Sequence, residues 1–324
     1  MDWATVSLEP LEGGFSGETF VAHTVDGDVV VRTYARDPER AGVDASLLRL
    51  VRGLLPVPAV LEVRLPVDGQ PGVLVTERLA GVPLDRLADD RAGDVDWSTL
   101  GTALGRALRT LAGIPFLHSG VFAGPDLAAV SGSLPDDLAD WARTVRATGR
   151  LSIWSDADWA GLEVVVDQAA AAIAEGPARA VLVHSDFNVK NLLGDPVSWQ
   201  LTGVVDWEFA HAGSPDADLG NVTRFERDPA FVAALVGAFD EDVPAAGGNR
   251  MLRGRAADLW ALIELAGRPQ ANTVSMLAER LLLAQARERD LSAWPFDGTR
   301  VSVRGARQAS AKARIGSERG KPLF

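Results

Sequence analysis

The 324-residue chain contains no cysteine, which removes disulfides, thiolate nucleophiles and cysteine-ligated metals from its chemistry. Its four histidines, His23, His118, His184 and His211, are scattered, and that spacing argues against a zinc centre. No stretch approaches the apolar length of a membrane span. The opening MDWATVSLEP has neither the basic nor the apolar region of a signal peptide, so a cytoplasmic protein with no membrane partner is expected. Lysine is nearly missing as well, occurring only at 190, 312 and 321. No internal repeat is present.

What remains is ordinary for a soluble globular protein: 47% hydrophobic and 23% charged residues, in a chain long enough for one large domain or two lobes. The net charge of −12 is uneven, with +5 on residues 301–324 and −17 on the rest. A body of that sign repels nucleic acid and anionic membrane and favours cationic partners. The end ARQASAKARIGSERGKPLF is rich in Gly, Ser and Arg without period, so residues 296–324 are expected to form a disordered basic tail.

Hydrophobic periodicity divides the body in two. TVSLEPL, TFVAHTV and DVVVRTY read as strands, the last two joined by an Asp26-Gly27 hairpin turn. A helix is expected near 43–53, followed by strands in PAVLEVRLP and GVLVTERL. Beyond them the spacing turns helical: Leu100, Leu104, Leu108 and Leu111 share one face, with further helices near 135–146, 157–175, 216–225, 229–239, 250–266 and 272–289. Short strands are expected at 180–184, 191–193 and 201–206. The outline is α+β and two-lobed: a strand-rich lobe over 1–79 and a mainly helical lobe over 80–295, with a ligand cleft between them.

Between two apolar runs, VLVHSDFNVKNLL carries His184, Asp186 and Asn191 in the spacing His-x-Asp-x-x-x-x-Asn. Phosphoryl transfer uses such a set, an Asp to orient and deprotonate a hydroxyl and an Asn to hold magnesium. LTGVVDWEFA then ends an apolar strand on Asp206, a hard oxygen ligand suited to the same ion. Each feature alone also fits a turn; the two together, a hairpin's length apart, point to chemistry.

HSDFNVKNLL followed by VVDWEFAHAGSPDADLGN resembles the catalytic and metal-binding region of the aminoglycoside phosphotransferase and choline kinase group, small-molecule kinases with a protein-kinase-like fold. Ser185 departs from the His-Gly-Asp form usual there. The resemblance implies Asp186 as catalytic base, Asn191 and Asp206 as magnesium ligands, and His184 and Asp218 as supports of the loop, Asp218 by accepting backbone hydrogen bonds. The alternative for Asp218 is an ordinary helix start.

In the first lobe, EGGFSGETF (Gly13, Gly14, Ser16, Gly17) stands where the resemblance places a phosphate-covering glycine loop, although a plain hairpin turn accounts for it too. Arg32 occupies the third-strand position where kinases carry a lysine; its fork can grip phosphate bidentately. The helix carboxylate that should pair with it is Asp44, with Glu39 as rival. Adenine would meet the backbone at Glu77–Leu79. Lys190 is either a phosphate contact or a solvated loop lysine.

Only eleven residues separate Asp206 from Asp218, too few for a peptide-supporting segment, so a small acceptor is expected. Asp156, Asp158, Glu208, Glu226, Asp228 and Glu264 are candidates to meet its cationic groups. The expected activity is transfer of the γ-phosphate of ATP or GTP, with Mg2+, to a hydroxyl of a small cationic molecule such as an aminoglycoside or cationic peptide antibiotic. The alternatives are a metabolic kinase for choline, an amino alcohol or a sugar derivative, and a catalytically silent nucleotide-binding protein. Oligomeric state is open.

Overall fold

The computed structural model describes residues 7–11, 18–90, 94–130, 137–241, 249–269 and 272–302. The glycine segment with Gly13, Gly14, Ser16 and Gly17 and the tail from residue 303 onward lie outside the described residues. The amino-terminal part is an antiparallel sheet of β1 (Ser7–Pro10), β2 (Glu18–Thr24), β3 (Gly27–Tyr34), β4 (Val60–Arg64) and β5 (Gly72–Glu77), in the order β1-β2-β3-β5-β4. Gly27, at φ 120°, closes the β2–β3 turn in a backbone region that a side chain rarely adopts.

Helix α1 (Arg40–Val51) covers one face of this sheet. The pleat places Val29 and Val31 of β3 with Ala22 and Val75 on one side. Arg32 and Tyr34 therefore point to the other side, where Tyr34 and Leu74 join the core built on α1. Strand alternation thus aims Arg32 toward the second lobe.

After β5 the chain forms β6 (Val82–Pro83), α2 (Leu84–Asp90) and α3 (Trp97–Ala112), then the short strands β7 (Pro115–Phe116), β8 (Gly120–Ala123) and β9 (Ala128–Val130). Helices α4 (Leu138–Thr148) and α5 (Asp156–Ala174) precede β10 (Ala180–Val183), β11 (Leu192–Gly194), β12 (Leu201–Val204) and β13 (His211–Gly213). Four helices follow: α6 (Ala217–Thr223), α7 (Pro229–Asp240), α8 (Arg250–Gly267) and α9 (Thr273–Glu288). Side chains of Asp96, Asp137, Ser155, Asp228, Asn249 and Asn272 cap α3, α4, α5, α7, α8 and α9 by accepting first-turn N–H groups.

Two small sheets position the polar loop. Strand β10, whose Ala180, Val181, Leu182 and Val183 are all buried, pairs with β13, while β11 pairs with both β12 and β6. The second core gathers α4, α5, α8 and α9 around Trp159, Leu162, Leu259 and Leu282. Among the described residues no helix is long and apolar enough to cross a membrane.

The short strands β6, β7, β8, β9 and β13, of two to four residues, do not complete a recognisable repeat, and the seven residues of α2 make barely two turns, so periodicity signalled none of them. The expected tail also begins too early. Residues 296–302 are ordered against the body: Arg227 N–H donates to Thr299 O at 2.6 Å, Val301 N–H to Phe225 O at 3.0 Å, and Phe296 meets Trp294 edge-on at 4.9 Å. Arg300 reaches Asp89 at 2.6 Å and Glu226 at 3.2 Å, fastening this segment to α2.

Candidate active site

Strand register brings the sequence candidates together. Val183 lies opposite His211 in β10–β13, so the loop from His184 and the segment ending before β13 leave one sheet end together. In the β11–β12 hairpin Leu192 lies opposite Val204, and Val205 N–H donates to Asn191 O at 3.0 Å. Asn191 and Asp206 therefore stand side by side although fifteen residues separate them.

The Asp186 carboxylate is held from three directions: by Asn188 Nδ2 at 2.5 Å, Asn191 Nδ2 at 2.7 Å and Lys190 Nζ at 3.0 Å. Lys190 is half exposed and pairs with Asp186 within its own loop. The loop is braced from α6, where buried Asp218 accepts the N–H groups of His184 and Ser185, each at 2.8 Å. Burial pushes the Asp218 carboxyl up to about 7, against those two hydrogen bonds. Asn221, one turn on, donates to Ser185 O at 3.2 Å. Ser185 itself sits at φ 67°, in the left-handed region that glycine occupies without strain.

His184 is fully buried, with Nε2 donating to Val205 O at 3.1 Å and Nδ1 accepting Asp186 N–H at 3.3 Å. Burial lowers its pKa to about 4, so the ring is neutral at pH 7 and can accept and donate as described. Trp207 lies against it, 4.6 Å between ring centres.

Helix α6 is fixed in turn by buried ion pairs. Asp216 accepts from Arg250 Nη1 at 2.5 Å and Arg253 Nε at 2.6 Å, and Arg224 grips Asp258 with two hydrogen bonds of 2.7 and 2.5 Å. The two helices touch at Gly220, where a Cβ would lie 1.9 Å from Gly254 O. Any side chain there would lever α6, and Asp218 with it, off α8.

The cation of β3 departs from expectation. Arg32 Nη1 pairs with Asp206 Oδ1 at 2.8 Å, and its Nη2 with Glu208. Asp44 pairs elsewhere: its Oδ1 accepts from Arg40 Nε and its Oδ2 from Tyr34 Oη, both at 2.7 Å. The anticipated Arg32–Asp44 pair, and with it the Glu39 alternative, gives way because Arg40, one helical turn before Asp44, is the nearer partner. Arg40 also donates to Trp207 O at 2.6 Å, tying α1 to the segment that follows Asp206. Tyr34, the only tyrosine, and the Arg40/Asp44 spacing were the available signals for this cluster.

At the end of β5, Glu77 N–H is bonded to Ala59 O at 2.9 Å and its carboxylate accepts Ala59 N–H at 3.2 Å, fixing the strand before Leu79. The six acceptor candidates are all engaged within the fold. Asp158 meets Arg287 at 2.8 Å, Glu264 meets Arg268 at 3.0 Å, Asp156 meets Arg146 at 3.3 Å and Glu226 meets Arg300, while Asp228 caps α7 and Glu208 holds Arg32. A cavity of about 440 Å3 lies elsewhere, lined by residues including Leu54, Thr99, Arg106 and Gln200, and shares no residue with these loops.

Among the described residues no group of three His, Asp or Glu side chains could hold a metal ion alone. Asn191 and Asp206 nevertheless fit magnesium. The amide nitrogen of Asn191 is committed to Asp186, leaving its oxygen as the end available beside the Asp206 carboxylate. Two hard oxygen donors, completed by phosphate oxygens, are the set magnesium takes in such sites.

The model of the phosphotransferase enzyme family APH matches residues 7–248. The chain belongs to that family. Among solved structures, the phosphotransferase fold is shared with aminoglycoside phosphotransferase APH(4)-Ia, at 20% identity and a TM-score of 0.58 over 87% of this chain and 91% of that one. A thermostable mutant of the same protein, solved with AMP-PNP and hygromycin B, matches at 19% identity and 0.58 over 89% and 93%. The GDP complex of aminoglycoside 2'-phosphotransferase-IIIa matches at 17% identity and 0.60 over 89% and 94%. No curated protein matches the chain. The fold is therefore two-lobed and protein-kinase-like, and the chain is an enzyme of the phosphotransferase class acting on hydroxyl groups.

Proposed function

We propose that this phosphotransferase moves the γ-phosphate of ATP or GTP to a hydroxyl of a small cationic molecule, with an aminoglycoside or cationic peptide antibiotic as the leading acceptor class. The observation that carries the reading is the convergence of Asp186, Asn191 and Asp206 beside Arg32, on two loops whose spacing is fixed by the β11–β12 hairpin. One relative was solved with AMP-PNP and another with GDP, so both donors belong to the proposal. The acceptor class draws on the relative solved with hygromycin B and on the net charge of −12.

In this reading Asp186 accepts the proton of the acceptor hydroxyl as its oxygen bonds to the γ-phosphorus and the β–γ bridging oxygen leaves with the nucleoside diphosphate. The three hydrogen-bonding partners of Asp186 hold it in one orientation, and positioning of this kind supplies much of the rate. Magnesium held by Asn191 and Asp206 would supply charge neutralisation on the phosphates. Arg32 would grip phosphate oxygens, and Asp218 and His184 keep the loop in shape.

The test is nucleoside-diphosphate release with Mg-ATP and Mg-GTP across aminoglycosides, cationic peptide antibiotics, macrolides, choline and aminosugars. Asp186→Asn and Asp206→Ala serve as controls. Turnover that depends on an antibiotic and vanishes in both variants is the expected result. Turnover on choline or an aminosugar alone would move the protein to the metabolic kinases. Nucleotide binding with no acceptor-dependent turnover would point to a silent nucleotide-binding protein.

A further inference from the structure

We propose that Glu208 is the positioning residue for Arg32, keeping its guanidinium aimed at the nucleotide phosphates once Asp206 turns to a metal ion. The proposal rests on the phosphotransferase reading above. In kinases of this fold a helix carboxylate performs that task. Here the helix carboxylate is engaged elsewhere, one oxygen of Asp44 accepting from Arg40 and the other from Tyr34.

Arg32 instead bridges two acids of one segment, Asp206 through Nη1 and Glu208 through Nη2. The two are not equivalent. A divalent cation on Asp206 repels a guanidinium on the same carboxylate, so that bond is the one surrendered when a metal binds. Glu208 is the more enclosed, its side chain 8% exposed against 23% for Asp206, and an enclosed charge keeps its partner.

The platform under Glu208 is rigid. Trp207, 3% exposed, donates Nε1–H to Val204 O at 3.2 Å, packs its ring at a tilt against His184 and accepts Arg40 at its carbonyl. Arg32 is steadied on its other flank by the Tyr34 ring, 5.2 Å away. In this arrangement Nη1 can pass from Asp206 to phosphate while Nη2 stays on Glu208.

Charge alone and positioning predict opposite signs. Removing a negative charge near a polyanion strengthens binding; releasing Arg32 weakens it. The experiment measures affinity of the full chain for fluorescent ATP and GTP analogues, with EDTA and with magnesium. The proteins are wild type, Glu208→Gln, Glu208→Asp, Arg32→Gln and the double variant Arg32→Gln/Glu208→Gln.

Glu208→Gln is expected to weaken binding about tenfold with magnesium, the loss of one charge-assisted hydrogen bond, and less with EDTA, where Asp206 still holds Arg32. Glu208→Asp should recover part of that loss, and in the Arg32→Gln background Glu208→Gln should have no further effect. Unchanged or tighter binding by Glu208→Gln with magnesium overturns the proposal. So does an equal loss in both backgrounds, which would mean that Glu208 touches the ligand itself. Circular dichroism checks folding, and Glu208→Asp carries the comparison if the Gln variant unfolds. Wild type that binds neither nucleotide would instead sink the phosphotransferase reading, before any variant is compared.

Discussion

His184 ties the acid stability of this protein to its catalytic loop. The ring is enclosed, its two nitrogens are bonded to Val205 O and Asp186 N, and burial lowers its pKa from 6.5 to about 4. Between those values the unfolded chain binds the extra proton and the folded chain does not. Stability from this group is therefore complete above pH 6.5 and is lost as pH falls toward 4. The gap amounts to about 3 kcal/mol, a large share of the roughly 5–15 kcal/mol that holds most domains together.

His184→Gln isolates the effect, because its amide can still donate toward Val205 O yet does not titrate. Losing the ring contacts with Trp207 at 4.6 Å and Phe187 at 5.9 Å should cost about 2 kcal/mol at every pH. Denaturant midpoints from pH 4 to 8 are the assay. The variant should start lower at pH 8 and fall less steeply below pH 6.5, so that the two curves converge or cross near pH 4. Carboxylates titrate in both proteins and cancel in the difference. Parallel curves below pH 6.5 would refute the reasoning, since the acid sensitivity would then belong to other groups.

Three further perturbations test the supports of the site. Asp218→Asn leaves one of the His184 and Ser185 N–H groups without its acceptor; it should cost about 2 kcal/mol in chemical denaturation and lower kcat far more than nucleotide affinity. Ser185→Gly should raise the unfolding free energy by about 0.5 kcal/mol, the relief of a left-handed serine at φ 67° less the entropy glycine adds to the unfolded chain; an unchanged or lower denaturant midpoint would remove the strain argument. Arg40→Met strands the buried Asp44 carboxylate and should cost about 3 kcal/mol in thermal or denaturant unfolding, most of it recovered by adding Asp44→Asn.

The elements that sequence made legible are those whose signal repeats within them. Leu100, Leu104, Leu108 and Leu111 mark α3 because successive turns of the helix return them to one buried face. Asp26-Gly27 marks the β2–β3 turn because only a few residues accept that backbone. The four buried residues of β10 announce a strand with no wet face, while two-residue β7 and three-residue β9 are too short to announce anything.

By itself the sequence determined the chemistry on offer: the spacing of His184, Asp186 and Asn191, the strand that ends at Asp206, and a chain without cysteine. Those are local facts, set by covalent spacing and by the period of one element. Which carboxylate Arg32 would find was decided only by tertiary structure, because its partners lie 174 and 176 residues away in the chain. The expected partner Asp44 was claimed by Arg40, four residues before it, and by Tyr34 across the sheet face. Ion pairs form between whichever charges the packed backbone brings within a few ångströms, and that distance is a property of the fold.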